Sequence, residues 1–179
     1  MVNSIYKSSK IFIAGHRGMV GSACLDLIKK NGFTNIIVKE RETLDLSKEN
    51  EVQTFFDREK PDIVVNAAAK VGGIWANNEF PFEFLMENLL IQNNLISSSH
   101  NSGVKKFIFL GSSCIYPKMA PQPIKEDYLL TSPLEPTNQW YAIAKIAGVK
   151  LCEAIFRKYN KQFISLMPSN LYGPNDNFD

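Results

Sequence analysis

The sequence has 179 residues, 45% of them hydrophobic and 21% charged, as expected for one globular domain with a sizeable core. Its 20 basic residues nearly balance 18 acidic residues, which argues against binding to nucleic acid or a membrane surface. The apolar runs are too short to span a bilayer, and we expect no targeting segment.

Short β-rich segments alternate along the chain with longer segments of helical period. We predict strands at residues 11–14, 36–38, 62–66, 107–110 and 163–167. Between them we predict helices at residues 19–30, 50–60, 82–101 and 140–159. The strands are almost wholly apolar, as in a parallel sheet covered on both faces. This pattern predicts an α/β, Rossmann-type doubly wound parallel sheet flanked by helices, in the order 3-2-1-4-5-6, with a short third strand near 43–46.

The first predicted strand runs into a glycine-rich loop, GHRGMVG. Gly15, Gly18 and Gly21 permit a tight turn and a close approach of the backbone to a pyrophosphate. The start of the following helix offers N–H donors to the phosphates. Because the loop lies between a strand and a helix, it predicts dinucleotide binding.

The end of the second predicted strand bears on the choice of cofactor. An acidic residue here favours the ribose hydroxyls of NAD, whereas arginine accommodates the 2′-phosphate of NADP. Arg17 and Arg41 can converge on that phosphate, because the guanidinium fork suits its oxygens. We therefore predict NADP, and Glu40 keeps NAD as the weaker option.

A tyrosine and a lysine stand four residues apart in the segment YAIAK, so that Tyr141 and Lys145 share one face of a helix. A nearby ammonium lowers the pKa of a tyrosine. Such a tyrosine can pass a proton to a carbonyl oxygen as hydride arrives, while the lysine holds the cofactor ribose. Ser112, after the strand at 107–110, can hydrogen-bond the same oxygen.

The same strand end carries a thiol, Cys114. A cysteine with a pKa near about 8.5 can act as a general base toward a carbon acid, because basic neighbours lower that pKa toward working pH. Beside a hydride-transfer site, the thiol predicts epimerisation next to a keto group followed by its reduction. The alternative interpretation is a buried, inert thiol.

The other cysteines and the histidines point away from disulfides and metals. Cys24 and Cys152 occupy core-facing helix positions, and we interpret them as small buried hydrophobic residues. Three scattered cysteines favour free thiols in a reducing cytoplasm. His16 and His100 lack paired ligand spacing, so we expect no metal site.

These motifs together resemble the extended, nucleotide-sugar branch of the short-chain dehydrogenase/reductase superfamily. Within it, GHRGMVGSA, GSSCIYPK, YAIAKIAG and NLYGPNDNF resemble the family of GDP-L-fucose synthases. The resemblance implies NADPH-dependent 3,5-epimerisation and 4-reduction of GDP-4-keto-6-deoxy-D-mannose. It also implies a homodimer formed through the helix at 82–101 and the helix of Tyr141. No carboxylate stands at the strand end to expel water, so a dehydratase is disfavoured.

The resemblance assigns roles to individual residues. It implies Cys114 as the epimerisation base and Tyr141 as the proton donor in reduction, with Ser112 and Lys145 in support. It implies cofactor contacts at Gly15, Arg17, Gly18, Met19, Val20, Gly21, Arg41, Asp45, Leu46, Ala67, Ala69 and Lys145. It implies substrate contacts at Val71, Gly72, Gly73, Ser113 and Asn170.

One departure from the family concerns a second epimerisation group, a histidine just downstream of GPNDNF that this sequence does not reach. Neither His16 nor His100 can replace it. We expect residues 1–179 to be an NADP-binding Rossmann domain without its C-terminal substrate domain, as a fragment, a shortened form or a split gene product. A related 4-epimerase or keto-sugar reductase, and a non-catalytic NADP-binding module, stay open as alternatives.

Overall fold

A five-stranded parallel sheet forms the centre of the molecule, which a computed structural model describes over residues 7–176. The strands are β1 (Ile11–Ala14), β2 (Ile36–Ile37), β3 (Ile63–Asn66), β4 (Lys106–Leu110) and β5 (Gln162–Leu166). They lie in the order β2-β1-β3-β4-β5. The helices are α1 (Met19–Lys30), α2 (Glu49–Glu59), α3 (Ile74–Glu79), α4 (Pro81–Asn101) and α5 (Gln139–Tyr159).

The predicted α/β architecture is confirmed, with one strand wrong. Residues 43–46 form turns, because Thr43 and Leu44 both donate their backbone N–H to the carbonyl of Glu40. The Asp45 carboxylate then accepts from the N–H of Ser47 at 3.0 Å, which leaves no extended backbone free to join the sheet. The other strands keep the predicted neighbours. Helix α3 was not predicted, because six residues are too few to show a helical period.

Side chains on the two faces of the sheet are covered by different helices. On one face Phe12 packs against Phe55 of α2, with ring centroids 4.6 Å apart, and α4 and α5 complete this cluster. On the other face Ile13 belongs to a smaller cluster that Leu25 and Ile28 of α1 cover. Phe12 is 1% exposed, so Phe12→Ala should cost about 3–5 kcal/mol of stability.

The carboxyl ends of β1, β3 and β4 meet at one edge of the sheet, because all the strands are parallel. Ligands of doubly wound sheets bind at this edge. The glycine loop, the segment after Asn66 and the segment after Leu110 all lie there. Among the described residues, no helix is long and apolar enough to cross a membrane.

Candidate active site

The glycine loop packs directly against the segment that follows β3. Gly15 has a φ of +79°, and a Cβ at this position would lie 2.6 Å from the backbone nitrogen of Ala68. Ala67 donates its N–H to the carbonyl of Ala14 at 3.0 Å. A Cβ at Gly21 would overlap the carbonyl oxygen of Gly15. The turn therefore requires glycine at both positions.

Helix α1 begins at this turn without a side-chain cap. Its N-cap residue is Gly18, in extended conformation, and Met19 and Val20 are the first residues of the helix. Helix starts leave backbone N–H groups without intrahelical partners, and those groups favour anions. A narrow cradle that any Cβ would fill, next to an uncapped helix start, fits the pyrophosphate of a dinucleotide.

Acidic residues accompany both arginines predicted for the adenosine end. The Nη2 of Arg17 lies 2.8 Å from the Oε1 of Glu40, and the Nε2 of His16 lies 3.4 Å from the same oxygen. Hydrogen bonds from Ser47 lower the pKa of Asp45, and the charge of Arg41 lowers it further. The neighbouring Leu46 packs against the main core.

Cys114 lies in a one-turn 3-10 helix, Ser113–Ile115, directly after β4. The hydroxyl of Ser112 caps this turn by accepting from the N–H of Cys114 at 3.4 Å. Burial raises the pKa of the Cys114 thiol, and a hydrogen bond from Ser112 and the charge of Lys145 offset only part of that rise. The expected net lowering of this pKa is therefore wrong, because loss of hydration outweighs the neighbouring charge.

Lys145 is buried and Tyr141 is half-buried in the first half of α5. Lys145 donates from Nζ to the carbonyl oxygen of Leu110 at 2.8 Å, and the same Nζ lies 5.5 Å from the centroid of the Tyr141 ring. Burial lowers the pKa of Lys145 to about 8. Burial also raises the pKa of Tyr141, and charge on Cys114 raises it further. The expected lowering of the tyrosine pKa is thus wrong for the same reason as at the thiol.

The structure brings Cys114, Tyr141 and Lys145 together. Charge on Cys114 raises the pKa of both other groups, and the charge of Lys145 acts on Cys114 in return. A phenol, a thiol and an ammonium group are all side chains that can serve in proton transfer, so these three are the candidate proton-transfer groups of the site.

Helix α3 fixes the loop at 71–73, which is predicted to contact substrate. Asn77 is buried, and its Nδ2 donates to the carbonyl oxygens of both loop glycines, at 3.0 and 3.1 Å. Val71 is exposed beside them. The sequence analysis missed Asn77, because a six-residue helix gave no pattern against which a buried amide would stand out.

A second buried asparagine holds the start of the same loop. Asn88 of α4 accepts from the N–H of Lys70 and donates to its carbonyl, both at 3.0 Å, and also donates to the carbonyl of Phe84 at 2.7 Å. The side-chain amide of Asn88 thus pairs with both backbone groups of Lys70, as a neighbouring β-strand would. The sequence analysis missed Asn88 as well, although an amide among the apolar residues of ENLLIQNN is a signal that could have found it.

The remaining predicted residues border the same edge. An open cavity of about 410 Å³ lies beyond β4 and β5, and Ser113 lines it together with Tyr116 and Glu126. Ala69 is half-buried after β3, and Asn170 is exposed after β5. The chain then returns to α1, where the Nδ2 of Asn175 donates to Ser22 at 3.0 Å.

The remaining thiols lie outside this group. All three cysteines are free, and burial raises the pKa of Cys152 to about 12. Cys24 is half-buried on α1. Over residues 7–176, no group of three or more His, Cys, Asp or Glu side chains could hold a metal ion.

The doubly wound sheet, the glycine cradle and the Tyr-Lys pair define a Rossmann-type protein built to bind a nicotinamide dinucleotide. The chain belongs to the NAD dependent epimerase/dehydratase family, which it matches over residues 11–179. It is 59% identical over 172 residues to GDP-L-fucose synthase 1 of Arabidopsis thaliana, covering 96% of this chain and 53% of the plant protein.

Solved structures extend this similarity. The chain resembles MlghC, a GDP-mannoheptose C4 reductase from Campylobacter jejuni with NADP bound, at 41% identity and a TM-score of 0.94, over 97% of this chain and 55% of that one. It also resembles a GDP-L-fucose synthetase from Naegleria fowleri bound to NADP, at 29% identity and a TM-score of 0.87, over 98% of this chain and 58% of that one. The resemblance to GDP-L-fucose synthases is confirmed, and the chain spans about half the length of these relatives.

Proposed function

We propose that this chain provides the NADPH-binding and proton-transferring part of an enzyme that converts GDP-4-keto-6-deoxy-D-mannose to GDP-L-fucose. The observation that carries the proposal is the position of Lys145. Its Nζ donates to the carbonyl oxygen of Leu110 at 2.8 Å, at the end of the strand that leads to Cys114, and lies 5.5 Å from the centroid of the Tyr141 ring. The substrate class is supported by the plant relative named GDP-L-fucose synthase 1. In this proposal residues 1–179 act as the cofactor-binding Rossmann domain of that reaction.

NADPH, when bound, supplies the hydride that reduces the C4 ketone. We assign its pyrophosphate to the glycine cradle, its 2′-phosphate to Arg17 and Arg41, and its adenine to the neighbourhood of Asp45 and Leu46. Ala67 and Ala69 are assigned to the stretch of the cofactor between its adenine end and its nicotinamide end. Lys145 lies where a charge can hold a ribose hydroxyl near Tyr141.

Epimerisation begins with Cys114 in this proposal. Its thiolate takes a proton from a carbon next to the ketone: the C–H bond breaks, an S–H bond forms, and the electron pair moves onto the carbonyl oxygen. The hydroxyls of Tyr141 and Ser112 and the charge of Lys145 stabilise the resulting enolate. A second group returns a proton on the opposite ring face, a role for which the family resemblance implies a histidine beyond GPNDNF.

Reduction of the ketone then requires one proton at its oxygen. Tyr141 donates that proton from its hydroxyl and becomes a phenolate, which the ammonium of Lys145 stabilises. Val71, Gly72, Gly73, Ser113 and Asn170 are proposed to contact the sugar nucleotide, since all border the same edge of the sheet.

A C4 reductase without epimerisation is the second candidate. The C4 reductase MlghC is 41% identical to this chain, and burial raises the pKa of Cys114, which disfavours the thiolate. The product separates the two candidates. The enzyme that contains this chain, incubated with NADPH and GDP-4-keto-6-deoxy-D-mannose, should give GDP-L-fucose by NMR, whereas a simple reductase gives a sugar with unchanged configuration at C3 and C5. NADPH binding without turnover would instead identify a cofactor-binding module.

A second copy of the chain is the proposed partner. Met86 and Leu90 of α4 and Ile143 of α5 are exposed apolar residues on two helices that pack side by side. Burying them in a homodimer would remove that apolar surface from water. Sedimentation of wild type and of Met86→Glu tests this, with a dimer and a monomer as the expected results. The free thiols suit a reducing compartment, and we propose the cytoplasm.

A further inference from the structure

We propose that Glu40 is a specificity-determining residue that makes this site accept NADH as well as NADPH. The inference rests on the proposed cofactor site and concerns only its adenosine end. Glu40 follows β2, at the position where an acidic residue favours a free ribose over a phosphorylated one. Its carboxylate already engages two residues of the glycine loop.

The first supporting observation is the ion pair itself. Arg17 and Glu40 approach to 2.8 Å, and His16 lies 3.4 Å from the same carboxylate oxygen. The side chain of Arg17 is 75% exposed, so it is free to reach a ligand, but Glu40 occupies part of its guanidinium fork. A 2′-phosphate that binds Arg17 must therefore displace a carboxylate or accept one beside it, and two anions repel each other.

The second observation is the charge balance around the site. Arg41, the other arginine predicted for the phosphate, is near enough to Asp45 to lower its pKa. Arg17 thus contacts a carboxylate directly, and Arg41 lies within electrostatic range of another. The ribose of NADH bears two neutral hydroxyls there, and Glu40 can accept hydrogen bonds from both.

The test is calorimetric titration of the 179-residue chain with NADPH and with NADH. Glu40→Gln keeps the shape of the side chain and removes its charge. We expect it to tighten NADPH and weaken NADH, so that the ratio of the two dissociation constants changes about tenfold in favour of NADPH. Glu42→Gln is the matched control, since it removes an equal charge two residues away.

A double-mutant cycle isolates the contact. In an Arg17→Ala background, Glu40→Gln should change the affinity for NADPH by less than about twofold, because the phosphate ligand that Glu40 competes for is gone, while its weakening of NADH should persist. Equal effects of Glu40→Gln and Glu42→Gln, or a tightening of NADPH that persists without Arg17, would overturn the proposal.

The result also separates this inference from the proposed reaction. Turnover of the keto sugar with no change of the ratio overturns only the role of Glu40. A changed ratio without turnover supports Glu40 and counts against the reaction. Failure of wild type to bind either dinucleotide overturns both.

Discussion

Lys145 donates a hydrogen bond from Nζ to the carbonyl oxygen of Leu110, 2.8 Å away, and so ties α5 to the end of β4. The same ammonium lies 4.9 Å from the centroid of the buried Phe109 ring. These two contacts fix the lysine between the strand that precedes Cys114 and the helix that carries Tyr141. In the proposed reaction, this buried cation is the group that stabilises the phenolate of Tyr141.

Burial of Lys145 predicts a particular dependence of stability on pH. Its pKa in the folded chain is about 8, against an ordinary value of 10.5. Between these two pH values the unfolded chain binds more protons, so this group makes stability rise with pH there, by up to about 1.4 kcal/mol per pH unit. Below pH 8 the full destabilisation by the buried charge is present.

Lys145→Met isolates this contribution, because the half-buried Cys114 and Tyr141 have raised pKa values and push stability the opposite way at high pH. Urea unfolding at several pH values measures it. The difference between wild type and Lys145→Met should move in favour of wild type from pH 8 to pH 10. A difference that is flat over this range would show that the lysine is not desolvated.

Tyr141→Phe should abolish most of the reduction and leave cofactor binding intact. The phenylalanine retains the ring but has no proton to donate, so the rate of reduction should fall by about 10²–10⁴-fold. The affinity for NADPH should change by less than about threefold. Tyr116→Phe, on the wall of the neighbouring cavity, is the control and should keep most of the activity. Equal losses in both variants would argue against a proton donor at residue 141.

Asn88→Ala should destabilise the chain by about 2–3 kcal/mol. Three backbone groups, two of Lys70 and one of Phe84, would lose their partner, and buried polar groups without partners are costly. Asn93→Ala, an exposed position on the same helix, should cost less than about 0.5 kcal/mol. Denaturant midpoints of the two variants give the comparison, and similar midpoints would contradict the assigned role.

Gly21→Ala should weaken the binding of the cofactor. The added Cβ would overlap the carbonyl oxygen of Gly15, so the loop must shift away from its cradle shape. We expect NADPH affinity to fall at least about tenfold. Gly173→Ala is the control, because its Cβ would meet only the side chain of Met19, at an ordinary 4.0 Å. Unchanged affinity in Gly21→Ala would remove the cradle from the proposed cofactor site.

Most of the fold was predictable because its strands are continuous apolar runs bounded by polar segments. The bounds predicted for β1 and α1 agree with the structure. The wrong strand at 43–46 shows the limit: TLDL has strand-like composition, but the side chain of Asp45 and the carbonyl of Glu40 organise it as turns. The pattern of apolar residues does not reveal when such local hydrogen bonds compete with strand formation.

The sequence indicated which candidate side chains would lie near one another but not their electrostatics, and the roles of these residues stay predictions. Motif spacing named Cys114, Tyr141 and Lys145, but the directions expected for the thiol and tyrosine pKa values were wrong, because depth of burial cannot be read from spacing. The asparagines that hold the loop at 71–73 were missed for a related reason. Their partners are backbone groups, and only the folded chain shows which backbone lies opposite.

Solvent exchange tests the proton chemistry at Cys114 most directly. The chain is incubated in D₂O with GDP-4-keto-6-deoxy-D-mannose and the oxidised cofactor, so that reduction cannot occur, and deuterium in the sugar is located by NMR. Wild type and Cys24→Ser should both incorporate deuterium next to the ketone, whereas Cys114→Ser should not. Incorporation at an undiminished rate in Cys114→Ser would contradict the assignment of Cys114 as the base.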